Sequence, residues 1–278
     1  MQRFLASKEV SHPQVAIIGL PYDATATFRR GARFAPAAIR WASWSIESYS
    51  PVLNRDLENL CLQDFGDVEL PDPPEEMIES VMQTMHALPE GCLPLLLGGE
   101  HTITLGAVRA LARRYPRLAV LNLDAHLDMR DRYEGKSLSH ATVMRRLAEE
   151  LPGSLVQLGV RSGVPEEFEA ARRLCLWSSP YLFLPPSIYE MLRERPIYLT
   201  VDIDVLDPAY APGTGNPEPE GLSAHELLRF LRHLQSLHVV GMDVVEVSPP
   251  YDPSGMTAVL AAKIAREAIL CFVPHLSC

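Results

Sequence analysis

Three short polar segments carry residue types that bind divalent cations: Gly98-Gly99-Glu100-His101-Thr102, Asp124-Ala125-His126-Leu127-Asp128 and Asp202-Ile203-Asp204. Each follows an apolar run, LPLLL, LAVLNL and IYLTV. In an extended chain residues i, i+2 and i+4 face one side. Asp124, His126 and Asp128 are therefore expected to converge, as are Asp202 and Asp204. Glu100 neighbours His101 and is expected to point the other way, doing supporting work at most. Taken singly, an aspartate after a strand is usually a cap or turn residue and a Gly-Gly pair a tight turn. Taken together, the segments place four carboxylates and two or three imidazoles at the end of apolar strands. Such acids repel and lose hydration unless they are protonated or cations sit among them. Two divalent ions would balance the four carboxylate charges. Oxygen and imidazole donors without thiolate favour manganese or a similar ion over structural zinc. Two such ions roughly 3.5–4 Å apart make hydroxide available at neutral pH, which points to hydrolysis.

The elements that must position these residues follow from the apolar pattern. Val15–Leu20, Leu93–Gly98, Leu118–Asp124, Leu155–Val160, Ile197–Asp204 and Val239–Val247 read as strands. Their near-continuous apolar character indicates cover on both faces. Amphipathic segments lie between them. Asp72-Pro73-Pro74-Glu75, Ser187…Glu190 and Ser223…Glu226 carry N-terminal helix signals, Pro165 opens another run, and Gly255–Val273 reads as a long C-terminal helix. This alternation predicts an α/β fold, a mostly parallel sheet with helices on both faces, in one domain spanning 1–278. Ligands then bind at the carboxyl ends of the strands.

The bulk composition agrees with this and excludes other classes. Of the 278 residues, 47% are hydrophobic and 22% charged, the balance of a globular chain with ample core. Lys+Arg of 25 against Asp+Glu of 35 gives −10, a poor charge for gripping nucleic acid or anionic lipid and a suitable one for a cationic substrate. No stretch approaches a membrane span, and the first residues lack the apolar core of a signal peptide. Five cysteines without CxxC spacing argue against a disulfide framework or thiolate zinc site and favour a reducing cytoplasm.

GGEHT, LNLDAHLDMRD and VDIDVLDPAYAPGTGNPEPEGLS resemble the signature segments of the ureohydrolases, the arginase and agmatinase superfamily. Gly19–Arg40, Ser139-His140-Ala141-Thr142 and Glu246–Asp252 resemble further family segments, so the likeness runs nearly the whole length. Ala35 stands where the family often has glycine. The resemblance implies a three-layer α/β/α fold of arginase type and two manganese ions per chain. One ion would take His101, Asp124, Asp128 and Asp202, the other Asp124, His126, Asp202 and Asp204, with Asp124 and Asp202 bridging. It also implies hydrolysis of a guanidino compound to an amine and urea, by a homo-oligomer, trimer or hexamer.

Within that reading three residues are expected to act on the substrate. Asp128 would take a proton and pass it to the departing nitrogen. Glu246, closing VVGMDVVE, would grip the guanidinium in a forked geometry. Asp243, three residues earlier, belongs to the opposite face. His140 would transfer protons or touch substrate. The loop Met129–His140 resembles the agmatinase version, and the acidic balance suits dicationic agmatine, whereas Arg130 or Arg132 would attract a carboxylate. Aminopropylagmatine, guanidinobutyrate and arginine remain alternative substrates. A related single-zinc deacetylase would lack the first set of ligands, and a chain that had lost catalysis would not keep His140 and Glu246.

Overall fold

The computed structural model describes residues 2–274. The first half contains β1 (Val15–Leu20), α1 (Ala35–Ser43), β2 (Tyr49–Ser50), β3 (Arg55–Asp56), β4 (Leu62–Asp67), α2 (Pro74–Ala87), β5 (Leu93–Gly98) and α3 (Ile103–Arg114). Then follow β6 (Ala119–Leu123), α4 (Val143–Glu150), β7 (Leu155–Leu158), α5 (Pro165–Leu174) and β8 (Trp177–Ser179). The chain continues through α6 (Pro186–Arg193), β9 (Pro196–Asp202), α7 (Ala224–His233), β10 (His238–Val245) and α8 (Met256–Phe272).

Eight strands form one sheet in the order β4-β1-β5-β10-β9-β6-β7-β8, with every pairing between neighbours parallel. The six expected strands are all present. The sequence pattern did not reveal β4 and β8, the two edges. Their short or partly exposed segments, LQDFGD and WSS, lack the continuous apolar run that two-sided burial imposes on central strands.

Alternate side chains of each strand feed two separate cores, so the fold has three layers. In β5, Leu93, Leu95 and Leu97 join the core under α1, α6, α7 and α8, while Leu96 joins the core under α2, α3, α4 and α5. Ser223 and Glu226 form the expected reciprocal cap of α7. Two helix starts differ from expectation. Pro73 rather than Asp72 precedes α2, and Pro185 precedes α6, leaving Ser187 inside its first turn. In both, a proline at the first positions pre-sets φ and no side-chain cap forms. Cys92, Cys175 and Cys271 are free thiols, and Cys61 is disulfide-bonded. Among the described residues no helix is long and apolar enough to cross a membrane.

What matters for function is the middle of the sheet. Strands β5, β10, β9 and β6 are consecutive neighbours, and all are parallel, so their carboxyl ends lie side by side. The chain passes from β5 through α3 to β6, three strands further on, and later fills the two-strand gap with β9 and β10. A ligand crevice is expected at such a switch in strand order.

Candidate metal centre

All polar segments singled out in the sequence fall at this crevice. His101 follows β5, Asp124, His126 and Asp128 follow β6, Asp202 ends β9 with Asp204 just after it, and Glu246 follows β10. His101 Nδ1 lies 3.2 Å from Asp124 Oδ2 and 3.3 Å from both Asp128 Oδ2 and Asp202 Oδ2. His126 Nδ1 lies 2.9 Å from Asp204 Oδ2 and 3.8 Å from Asp124 Oδ1. Two ligand-like groups result, His101–Asp124–Asp128 and Asp124–His126–Asp204, and Asp124 is common to both. Asp202 faces the first through Oδ2.

The convergence arises differently from the simple pleat expected. Asp128 has φ +52°, so the chain after β6 turns rather than continuing as a strand. The His126 N–H donates to Asp124 Oδ1 at 2.6 Å, closing a turn through the aspartate side chain. Asp202 caps a short 3-10 turn, Ile203–Val205, by accepting from the Asp204 N–H at 2.9 Å. The turn expected for DIDVLDP and the clustering of its acids are thus one feature. Glu100 points away from the cluster as expected, accepting hydrogen bonds from Thr25 and Thr102.

The donor set fits a pair of divalent cations. His101 is fully buried, and its Nε2 is held by Thr200 Oγ1 at 2.9 Å. Among the described residues none makes a hydrogen bond to His101 Nδ1, although three carboxylate oxygens surround it. A buried nitrogen without a hydrogen bond, facing only anionic oxygens, is the environment of a cation ligand. Without ions the charges compensate through protons. Burial works against a charged His126, yet Asp204 beside it lifts the imidazole to about 11. Burial also opposes charge on His101, which Asp124 nevertheless holds well above its ordinary value. Burial and the Asp124 charge raise Asp128 to about 7, and burial with Asp204 raises Asp202 well above the carboxylate range. For Asp204 the His126 charge outweighs burial and the shift is downward.

A cavity of about 390 Å³ opens over these groups. Its walls include Asp128, Asp202, Asp204, His126, His140 and Glu246, the acting residues expected from sequence. Glu246 has φ +63°, uncommon for a non-glycine residue. Two bonds to the end of β5 hold it there: its N–H donates to the Gly99 carbonyl at 2.9 Å, and its Oε1 accepts the His101 N–H at 2.7 Å. Burial and the nearby Glu100 push its carboxyl up to about 8. Asp243 is absent from the cavity lining but is not on a far face as expected: it accepts from the Thr104 and Tyr198 hydroxyls and faces Thr200, the residue that holds His101 Nε2. His140 opens a 3-10 turn, His140–Thr142, and is buried to 8% exposure, not a free surface loop. Burial, with the charges of His126 and His101, lowers it to about 4. Arg130, Tyr133 and Glu167 line the outer wall, and Arg130 Nε lies 3.4 Å from Glu167 Oε2. Sequence reading missed Thr200, Thr25 and Glu167. Each is an ordinary strand, loop or helix-start residue whose role appears only in contact.

The model of the Arginase family matches residues 13–271, which is most of the chain. The chain belongs to the arginase family. Among relatives of this arginase-family chain is an agmatinase of Bacillus anthracis, 42% identical over 277 residues and covering 95% of each chain. An agmatinase of Bacillus subtilis (strain 168) is 40% identical over 284 residues, covering 97% of this chain and 96% of that one. The crystal structure of the agmatine ureohydrolase of Thermoplasma volcanium superposes with a TM-score of 0.88 at 35% identity, covering 98% of this chain and 94% of that one. Like those arginase-family proteins, this one is an enzyme of the amidinohydrolase type, acting on carbon–nitrogen bonds, and it is strongly similar to agmatinases over nearly its whole length.

Proposed function

We propose that this enzyme hydrolyses agmatine to putrescine and urea, a step of polyamine synthesis, with two manganese ions as cofactor. The observation that carries the reading is the buried convergence of His101 Nδ1 with Asp124, Asp128 and Asp202 oxygens, beside a second group that shares Asp124. His101, Asp124, Asp128 and Asp202 would hold one ion, and Asp124, His126, Asp202 and Asp204 the other. A single-zinc site would leave the first set without purpose. When bound, the ions supply Lewis acidity and hydroxide at neutral pH.

The protein's own residues do the rest. Glu246 Oε1 is occupied by the His101 N–H, so Oε2 is available to the guanidinium N–H groups and fixes the plane of the substrate. Asp128 sits beside the reacting centre and accepts the proton released from water. That proton must reach the departing nitrogen, because an amine anion is a very poor leaving group. Asp128 and His140, on the walls of one cavity, can both deliver it. Burial keeps His140 neutral at physiological pH, so its ring can accept a proton.

At the outer wall Glu167, whose two oxygens accept the Met129 and Val164 N–H groups, contributes negative charge that would attract the terminal ammonium of agmatine. Arg130 on the same wall favours a second reading, a guanidino carboxylate such as guanidinobutyrate. Urea release from agmatine, aminopropylagmatine, arginine and guanidinobutyrate, with manganese added, tests both. Agmatine is expected to give the highest kcat/KM, and failure of all four would refute the reading. We also propose a trimer or hexamer. Phe34, Trp41 and Trp44, all around α1, expose 57%, 68% and 57% of their surfaces, apolar area that neighbouring copies would cover.

A further inference from the structure

We propose that Thr25, itself held by the buried Glu100, positions His140 for proton transfer by fixing which ring nitrogen carries the hydrogen. This rests on the hydrolytic reading above, in which His140 moves a proton. Thr25 lies in the loop after β1 and is 4% exposed. Its backbone N–H donates to Glu100 Oε2 at 2.9 Å, and its hydroxyl donates to Glu100 Oε1. Thr102 Oγ1 donates to the same Oε1 at 2.7 Å. Glu100 is fully buried, and it is tied to the same loop through its own N–H, which donates to the Tyr22 carbonyl at 2.8 Å.

A hydroxyl has one hydrogen and two lone pairs. Burial raises the Glu100 carboxyl, but the bonds from Thr25 and Thr102 favour its anion, and with Glu100 ionised the Thr25 hydrogen is committed to it, so toward every other neighbour Thr25 Oγ1 can only accept. Two groups of His140 approach it: the backbone N–H at 3.2 Å and ring Nδ1 at 3.4 Å. Nδ1 must therefore carry the hydrogen. In a neutral ring that leaves the lone pair on Nε2, the nitrogen turned away from Thr25, on a ring that lines the substrate cavity. On its other side the ring meets Tyr133 edge-on, with centroids 5.6 Å apart. The chain Glu100–Thr25–His140 thus orients a base through a hydroxyl, with the acid one residue removed from direct contact. Thr25 and Glu100 touch neither substrate nor reacting atoms, so both are positioning residues.

The test uses the full-length chain with diamagnetic zinc filling the metal site, its histidine rings labelled with 15N, and His140→Asn to assign the signal. Wild type is expected to show the Nδ1–H form of His140, Thr25→Ser to keep it, and Thr25→Val to lose it. Thr102→Val also deprives Glu100 of a donor but leaves Thr25 in place, so it is expected to keep the Nδ1–H form. With manganese and agmatine, Thr25→Val is expected to lower kcat about ten- to hundredfold with little change in KM, and Thr25→Ser to restore most of it. An Nε2–H signal in wild type, or an unchanged Nδ1–H signal in Thr25→Val, would overturn the proposal, even if turnover fell. So would equal loss of that signal in Thr102→Val, which would mark general damage around Glu100. If wild type releases no urea from agmatine, the functional reading fails while the ring signals still decide this one.

Discussion

The Glu246 carboxylate accepts the backbone N–H of His101 at 2.7 Å. A candidate substrate-binding acid and a candidate metal ligand are thus locked together across the neighbouring ends of β10 and β5. The left-handed backbone of Glu246 is held in place by this bond and by the one from its own N–H to Gly99. In the proposed function, movement of either group would shift the seat for the guanidinium relative to the metal site.

Replacing Glu246 by glutamine keeps the acceptor for His101 but removes the carboxylate that would face the guanidinium in the proposed reaction. Glu246→Gln is expected to fold and to bind metal normally, with kcat lowered about a hundred- to a thousandfold. Steady-state urea release alongside metal analysis checks this; wild-type kinetics would remove Glu246 from the proposed role.

His126 faces Asp204 and Asp124 in the second group. His126→Ala is expected to retain one metal per chain instead of two and to lose urea release by on the order of a thousandfold or more, because the paired ions act together on water. Elemental analysis of the dialysed protein counts the metals. Two metals and normal turnover would disprove the ligand assignment.

The metal-free protein is expected to lose stability as the pH rises. His126 is held at about 11, above its ordinary 6.5. The folded state therefore keeps a proton that the unfolded state releases, a contribution complete below 6.5 and lost on the way to about 11. Asp128 at about 7 and Glu246 at about 8 act in the same sense at lower pH. His140, lowered to about 4, acts oppositely, but only below 6.5. Metal ions displace these protons, so their binding strengthens with pH. The gap in Tm between manganese-loaded and EDTA-treated protein should widen from pH 6.5 to about pH 9. A gap that narrows would contradict the protonation scheme.

Gly99 admits no side chain. A Cβ there would lie 1.9 Å from the Tyr22 carbonyl oxygen and 2.6 Å from its nitrogen, both backbone atoms that cannot swing aside. Gly99→Ala is expected to cost about 3 kcal/mol or more, which for a chain of this size lowers Tm by roughly 6–12 °C. Differential scanning calorimetry measures the shift. An unchanged Tm would show that the loop after β1 yields without cost.

Much of this enzyme was legible before any coordinates. The apolar runs marked six of the eight strands because central parallel strands are buried on both faces, and the acids after those runs marked the crevice because charge is excluded from such strands. Family likeness named the candidate ligands. Tertiary structure alone decided the rest. The edge strands β4 and β8 carry no continuous apolar signal. Asp124, His126 and Asp128 meet through a turn, since the backbone at Asp128 leaves the extended region, which a period-two pattern cannot register. Thr25 and Glu100 are 75 positions apart yet share a hydrogen bond, and Glu246 finds His101 across 145. Spacing along a chain fixes which residues share a local face. Which distant residues touch is fixed only when the sheet sets its strand order.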